Sequence, residues 1–322
     1  MPVECLPGDE AAIEKAAHWL REGRLVAFPT ETVYGLGADA TNERAVALIF
    51  AAKGRPIFNP LIVHVADMDA AQALVRFTPE AELLAHHFWP GGITLVLPRL
   101  ADAPLSLLVS AGLDTVAIRV PAHPLAQRLL SATGRPIAAP SANASGEISP
   151  TQAAHVMQSL GAAAALALVL DGGACSLGLE STVIGFPTGG HPTLLRPGAV
   201  AREAIEAVLG AELEAADVAS GESGRSSPGQ LTSHYAPQAH LRLNVCVPGT
   251  DELWLGFGPD QAGAALNLSP TGDLAEAAAN LFAMLRALDA QAQGRSIVVA
   301  PVPREGLGEA INDRLTRAAA AK

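Results

Sequence analysis

Short apolar runs alternate with segments of helical periodicity over the first two-thirds of the chain. Residues 24–28 form a compact apolar run that ends at Pro29, and residues 42–53 carry apolar side chains at helical spacing. Further strands are predicted at residues 61–65, 93–97, 115–120, 136–139, 165–170, 181–186 and 193–195, and further helices at 13–22 and 124–131. This alternation indicates an α/β or α+β fold with a sheet at its centre.

The composition changes at residues 211–229, where Glu, Ala, Gly and Ser dominate, as in a flexible linker. After it, strands are predicted at 253–257 and 297–300, and helices at 274–288 and 308–320. We therefore expect a large domain over residues 1–208, a linker over 209–240 and a small α/β domain over 241–322.

Composition excludes several classes of protein. Of the 322 residues, 49% are apolar, which argues against disorder. The longest apolar stretch falls far short of the ~20 residues that span a bilayer, and no basic, apolar leader begins the chain, so we expect a cytoplasmic protein without a membrane partner. The net charge is −11, and both the first 208 residues and the remainder are acidic, which does not support tight nucleic-acid binding. The three cysteines lack metal-ligand spacing, so we expect reduced, structural thiols.

Two polar loops follow early elements. Residues 29–37 offer three hydroxyls, one carboxylate and two glycines after a buried strand; a plain turn would also use Thr and Gly, but Tyr34 is one of only two tyrosines. Residues 53–60 bring Lys53 and Arg55 together ahead of the next strand, a pairing that suits a polyphosphate or carboxylate. Lys53 alone would fit a cation at the end of a helix.

Two further groups of residues could carry chemistry. Residues 139–146 are small and polar and follow a strand, and there an Asx or Ser turn is about as good an explanation as a ligand site. Arg119 interrupts an apolar strand, and burying it is costly unless it meets a protein carboxylate or an anionic substrate. His64 also lies within an apolar strand, where a lone histidine is more often a core residue than a ligand.

Familiar catalytic signatures are missing from the sequence. It contains no P-loop, no H-E-x-x-H, no G-x-S-x-G and no kinase signature. No carboxylate cluster argues for a metal held by the protein, so any Mg²⁺ would arrive bound mainly to substrate phosphates. The residues by themselves predict an anion-binding enzyme that works by positioning and charge neutralisation.

Together, these segments closely resemble the YrdC-type threonylcarbamoyl-adenylate synthase family. The matching segments are PTETVYGLG at 29–37, KGRP at 53–56 with NPL at 59–61, PSAN at 140–143, ESTV at 180–183, SPG at 227–229 with SHYAP at 233–237, and GLGEAINDRL at 306–315. The resemblance covers nearly the whole chain. It implies a large domain with a twisted mixed sheet and a concave site, followed by a small Rossmann-like α/β domain.

The resemblance also implies an activity and its residues. L-threonine, bicarbonate and ATP would give L-threonylcarbamoyl-adenylate and pyrophosphate, with Mg²⁺ carried by ATP. The residues expected to contact threonine are Thr32, His64, Arg119, Ala139 (through its backbone) and Ser181. The residues expected to contact ATP are Lys53, Arg55, Asn59, Thr115, Ser141, Asn143, Ser149, Arg196 and Tyr235, and Lys53 and Arg55 are the expected catalytic pair.

The family's product implies a partner that consumes it. A separate threonylcarbamoyl-transferase complex would pass the group to tRNA, so direct tRNA binding by this chain is expected to be weak or absent. The main alternative is a non-catalytic RNA-binding protein, which the acidic charge disfavours. A related carbamoyl-transfer enzyme is a second alternative, but its zinc-finger cysteines are missing from this sequence.

Overall fold

A computed structural model of the chain describes residues 3–187, 190–215 and 234–320. Its main feature is a mixed sheet of eleven strands in the order β1-β8-β2-β3-β7-β4-β6-β5-β9-β10-β11. These strands are β1 (Glu4–Pro7), β2 (Leu25–Phe28), β3 (Gly35–Asp39), β4 (Ile62–His64), β5 (Ile93–Pro98), β6 (Thr115–Arg119), β7 (Ile137–Ala138), β8 (Leu166–Asp171), β9 (Thr182–Gly185), β10 (Thr193–Arg196) and β11 (Glu214–Ala215).

Helices pack on this sheet. They are α1 (Glu10–Arg21), α2 (Glu43–Lys53), α3 (Met68–Gln72), α4 (Pro79–Phe88), α5 (Pro124–Thr133), α6 (Ala153–Leu160) and α7 (Arg202–Leu209). The predicted α/β architecture is confirmed, although the sequence missed β1, β3, β11, α3, α4, α6 and α7 of this unit. Helix α1 begins earlier than predicted because the Asp9 carboxylate accepts a hydrogen bond from the Ala12 N–H and caps it.

The two faces of the sheet are covered differently. On one face, Leu25, Ala27 and Leu36 join the largest apolar cluster, together with residues from α2, α4 and α6. On the other face, Val26 and Phe28 pack against α1 and α5. The second face continues across β4, β6, β5 and β9, and alternation along each strand determines which side chains lie on it. There it carries a small apolar patch, made of Ile62, Val96, Ala117 and Val183, and the polar residues described below.

The C-terminal part of the chain forms a second, smaller unit. Four parallel strands lie in the order β12-β15-β13-β14, and two helices accompany them. The elements are β12 (Leu241–Arg242), β13 (Leu253–Gly256), β14 (Leu266–Asn267), α8 (Leu274–Ala292), β15 (Ile297–Val299) and α9 (Leu307–Ala319). The predicted strands at 253–257 and 297–300 and the predicted helices at 274–288 and 308–320 are confirmed. Parallel strands with α8 before the last strand and α9 after it give the α/β unit expected from the sequence.

The two units share an apolar cluster. Val33, Ile148 and Leu179 of the first unit pack with Phe282 and other side chains of the second. Most of the predicted linker, residues 216–233, lies outside the described residues, so the boundaries proposed at 208 and 241 stay predictions. In the described ranges no helix is long and apolar enough to cross a membrane.

Close packing between β2, β3 and β7 requires glycine at position 37. A Cβ added to Gly37 would lie 2.8 Å from Phe28 Cε1 and 3.0 Å from Ile137 Cγ2. Gly35 also lies near the Phe28 ring, with an added Cβ 3.5 Å from Phe28 Cζ, and it lines the cavity described below.

We expect Gly37→Ala to lower the free energy of unfolding by about 1–3 kcal/mol, since the new methyl group overpacks the Phe28 ring. Urea denaturation followed by circular dichroism measures this. Phe28→Leu provides the control, because it removes the ring edge that the methyl group would meet. The double variant should lose less stability than the sum of the two single variants. Strict additivity would show that the ring is not the obstacle.

Candidate active site

Helices α1 and α5 cover only part of one face of the sheet. On the rest of that face, over strands β4, β6, β5 and β9, lies a concave cavity. Register pairs His64 with Arg119 and Val96 with Ala117, so these side chains share that face. The cavity and the solvent-filled space at its mouth together measure about 580 Å³. The predicted site residues that line it are Thr32, Arg55, His64, Arg119, Ala139, Ser141, Ser181, Arg196 and Tyr235. Residues from widely separated segments thus meet in one place.

Arg119 meets a protein carboxylate. Its Nη2 donates to Glu31 Oε1 at 2.5 Å, its Nη1 to Thr32 Oγ1 at 2.9 Å and its Nε to the Gly91 carbonyl at 3.0 Å. Burial, the largest single influence, would raise the pKa of Glu31, but the Arg119 charge and the hydrogen bonds from Arg119 and the backbone together lower that pKa. Since Glu31 Oε2 also accepts from the Ala122 N–H, the carboxylate fixes both the charge and the orientation of Arg119.

Two more arginines bring positive charge to the cavity. Arg55 donates from Nη2 to the Pro60 carbonyl at 3.0 Å, and Arg196 donates from Nη2 to the Ser181 carbonyl at 2.8 Å. Burial lowers the pKa of Arg55 to about 10, which still leaves it charged at neutral pH. Among the lining residues Glu180 is the acidic member, so the cavity carries an excess of positive charge in a chain of net charge −11. This suits an anionic ligand.

Lys53 lies beneath the cavity wall rather than in the wall itself. It is the last residue of α2, and Gly54, at φ 60°, ends the helix in the left-handed conformation that glycine tolerates. Its buried amino group donates to the carbonyls of Ser141 and Asn143. Lys53 therefore supports the loop that carries Ser141. In the same loop, the side-chain amide of Asn143 donates to the Ala144 and Glu147 carbonyls.

Asn59 and His64 are among the buried side chains of the described residues that keep polar atoms without hydrogen-bond partners. Asn59 is 1% exposed, and both its amide nitrogen and its amide oxygen lack a hydrogen bond. His64 Nδ1 lacks one as well. Burial and the nearby Arg119 lower the pKa of His64 to about 3, so its imidazole is neutral at pH 7. Buried polar atoms without partners are costly, and a bound ligand or water would satisfy them.

Five predicted residues do not line the cavity: Lys53, Asn59, Thr115, Asn143 and Ser149. Thr115 begins β6, four residues before Arg119, and period-2 alternation puts it on the same face but toward the far end of the strand. Ser149 donates its hydroxyl to Glu180 Oε1 at 2.5 Å. Ser149 therefore reaches the cavity through Glu180.

Sequence reasoning missed several residues of the site. Glu180 and His234 line the cavity, and each precedes a residue that was predicted, Ser181 and Tyr235. The predicted neighbours Ser181 and Tyr235 could therefore have indicated that Glu180 and His234 belong to the site. Arg314 of α9 lies in the matching segment at 306–315, but the sequence did not assign that segment to the site: Arg314 donates from Nε to Glu180 Oε2 at 2.8 Å and is fully buried. Only the packing of the second unit brings it there.

Family comparisons agree with this geometry. A family model named Sua5_yciO_yrdC and described as "Telomere recombination" matches residues 18–198. The chain belongs to the Sua5/YciO/YrdC family. A second model, described as "Threonylcarbamoyl-AMP synthase, C-terminal domain", matches residues 200–320.

Relatives match this Sua5-family chain over most of its length. Threonylcarbamoyl-AMP synthase of Pyrococcus abyssi is 42% identical over 96% of this chain and 94% of the relative. The Bacillus subtilis protein of that name is 42% identical over 98% and 94%. The crystal structure of P. abyssi Sua5 complexed with L-threonine has a TM-score of 0.86 and 40% identity, covering 99% of this chain and 97% of that one. E. coli YciO, at 23% identity and a TM-score of 0.53, shares the fold.

Glu180 makes stability depend on pH. Burial alone would raise its pKa, but Arg314, Arg196 and the Ser149 hydroxyl lower it to about 2. Because the folded pKa lies below the ordinary 4.5, the Glu180 carboxylate stabilises the fold above pH 4.5. That contribution is lost as the pH falls from 4.5 toward about 2.

We therefore expect Glu180→Gln to lower the free energy of unfolding by about 3–5 kcal/mol at pH 6, and by much less near pH 2.5. Urea denaturation at several pH values measures the difference. Glu309→Gln is the matched control, because its ion pair with Arg202 is partly exposed and should matter by no more than about 1 kcal/mol. A Glu180→Gln effect that is independent of pH would contradict this account.

Proposed function

We propose that this Sua5-family protein is an L-threonylcarbamoyladenylate synthase, which makes threonylcarbamoyl-AMP and pyrophosphate from L-threonine, bicarbonate and ATP. The observation that carries the proposal is one cavity that unites Arg119, Thr32 and Ser181 with Arg55, Arg196 and Ser141. The close relatives that share nearly its full length are named threonylcarbamoyl-AMP synthases. It is a nucleotidyltransferase-type enzyme.

The cavity offers different chemistry to the two large substrates. Arg119, with Thr32 and Ser181 near it, can pair with the carboxylate of threonine, and the Ala139 backbone and the neutral His64 can accept or donate hydrogen bonds. The P. abyssi relative was solved with L-threonine, which supports this assignment. Arg55 and Arg196 supply positive charge for ATP phosphates, with hydroxyls from Ser141 and Tyr235.

The buried polar atoms extend the nucleotide site. We assign Asn59 to ATP because both the nitrogen and the oxygen of its side-chain amide lack hydrogen-bond partners. Lys53 and Asn143 act through the loop that carries Ser141, and Ser149 acts through Glu180. Thr115 would meet a nucleotide that extends along β6 beyond the residues that line the cavity.

The chemistry needs positioning more than an activated nucleophile. The neutral amine of threonine attacks the carbon of bicarbonate, water leaves and a carbamate forms. A carbamate oxygen then attacks the α-phosphorus of ATP, and the bond to the β-phosphate oxygen breaks to release pyrophosphate. Arg55 and Arg196 offset the charge that shifts to the phosphates, and Lys53 supports their neighbouring loop. No covalent enzyme intermediate is required.

Magnesium fits this site as a companion of the substrate. The described residues contain no cluster of three or more potential metal ligands, and the Glu180 carboxylate is already bonded to Arg314 and Ser149. Mg²⁺ would therefore be held by ATP phosphates and water, while Arg55 and Arg196 contact the remaining phosphate oxygens. When bound, the ion lowers the charge of the triphosphate and favours loss of pyrophosphate.

The product implies a consumer in the same compartment. Threonylcarbamoyl-adenylate is a mixed anhydride, so a separate transferase complex would receive it and modify tRNA, and we place the protein in the cytoplasm with that complex. Direct contact with tRNA would be weak or absent, in line with the net charge of −11.

The proposal is tested by incubating the purified chain with ATP, Mg²⁺, L-threonine and bicarbonate. Pyrophosphate should form only when all are present, and mass spectrometry should identify threonylcarbamoyl-adenylate. Serine in place of threonine is the control for the amino-acid site. Nanomolar RNA binding without any pyrophosphate release would instead support the non-catalytic alternative.

Arg55→Ala should lower kcat by about a hundredfold, because it removes a buried cation from the developing pyrophosphate charge. Steady-state pyrophosphate release measures this. Arg76→Ala is the control, since Arg76 is exposed and does not line the cavity. Unchanged kcat and ATP KM in Arg55→Ala would remove Arg55 from the mechanism.

Arg119→Met should raise the KM for threonine about thirtyfold or more, and the KM for ATP much less, since a buried charged contact to the carboxylate is lost. The variant also leaves Glu31 without its cation. The double variant Glu31→Gln/Arg119→Met separates the two effects, because its threonine KM should stay high. Recovery of threonine KM in the double variant would show that Glu31, rather than the lost contact, caused the defect.

A further inference from the structure

The second unit places a fully buried arginine against the cavity. Arg314, on α9, is 0% exposed. Its Nε donates to Glu180 Oε2 at 2.8 Å, its Nη1 to Asp313 Oδ2 at 2.6 Å and its Nη2 to the Pro197 carbonyl at 2.9 Å. Burying a cation costs desolvation free energy, and these partners compensate it. The position of this cation next to the cavity suggests a role there.

Glu180 is the partner that connects Arg314 to the cavity. It lines the cavity, and it is the acidic residue among the described lining residues. Its other oxygen accepts from Ser149. An unpaired carboxylate at this place would repel a triphosphate and would weaken the field of Arg55 and Arg196. The Arg314 charge removes that repulsion.

Arg314 also contacts the aromatic residue in the cavity wall. Its guanidinium carbon lies 5.3 Å from the centre of the Tyr235 ring. Phe282 of α8 stacks on the same ring, with centroids 5.5 Å apart and planes at 26°. Tyr235 has φ 61°, a left-handed conformation that a bulky residue keeps only when its surroundings hold it. Both contacts come from the second unit.

We propose that Arg314 is a positioning residue for ATP, by which the second unit neutralises Glu180 and holds Tyr235 in the cavity wall. This inference rests on the proposed synthase function. It gives the C-terminal unit a defined task at the active site of the other unit. The field of the cavity is complete only when both units are folded together.

ATP and threonine should respond differently to the loss of Arg314. ATP carries several negative charges, whereas threonine is a zwitterion without net charge, so an exposed Glu180 charge disfavours ATP far more. Arg314→Met should weaken ATP binding by about tenfold or more and threonine binding by less than about threefold. Calorimetric titration of the full chain with each substrate measures both constants.

A double variant separates charge from packing. Glu180→Gln/Arg314→Met removes both members of the pair, so ATP affinity should recover to within about threefold of the wild type. Glu180→Gln alone also lacks the repelling charge, so the folded variant should bind ATP more tightly than Arg314→Met does. Arg202→Met is the matched control, because its ion pair with Glu309 also joins the two units but neither residue lines the cavity.

Each outcome decides the matter. Recovery in the double variant supports the proposal, as does a double variant that folds and binds ATP when Arg314→Met alone does not fold. Unchanged ATP affinity in Arg314→Met, a double variant that stays defective, or a folded Glu180→Gln that binds ATP no better than Arg314→Met overturns it. If the wild type forms no threonylcarbamoyl-adenylate, the proposed function fails first. If the wild type is active and Arg314→Met binds ATP normally, only this inference fails.

Discussion

Positive charge is buried along one face of the sheet, and every buried arginine there needs oxygen atoms to compensate its lost hydration. Arg119 obtains them from Glu31, Thr32 and Gly91, and Arg55 from the carbonyls of its own loop. These bonds fix the arginines before any ligand arrives. The same arginines line a cavity with an excess of positive charge. Preorganised charge of this kind is what a phosphate reaction without a covalent intermediate requires.

The arginines can gather on one face of the sheet because helices cover the two faces to different extents. On one face, the apolar side chains of the strands pack against helices in one large cluster. On the other face, α1 and α5 cover only part of the width of the sheet. The part over β4, β6, β5 and β9 is concave and polar at one end. The second unit approaches this end with Arg314 and Phe282. Two units therefore contribute to one site.

The alternation of strands and helices and the small unit at the C-terminus follow from the sequence. Apolar periodicity fixes them locally, as for β2, α2 and α8, whose predicted and observed bounds agree closely. Elements with weaker periodicity, such as β3 with its two glycines, escape that reading. Gly37 is explained only by the Phe28 and Ile137 side chains that approach it from other strands.

The same division holds for the site. The sequence by itself determined which residue types were available: the arginines, hydroxyls and glycines of the loops at 29–37, 53–60 and 139–146, because composition and local order suffice for that. Only the tertiary structure decided which of them share a cavity, that Glu31 is the partner of Arg119, and that Lys53 supports a loop from below. It alone also brought Arg314 to Glu180, 134 positions away. Contacts between distant segments depend on strand order and register, and no local pattern of residues encodes them.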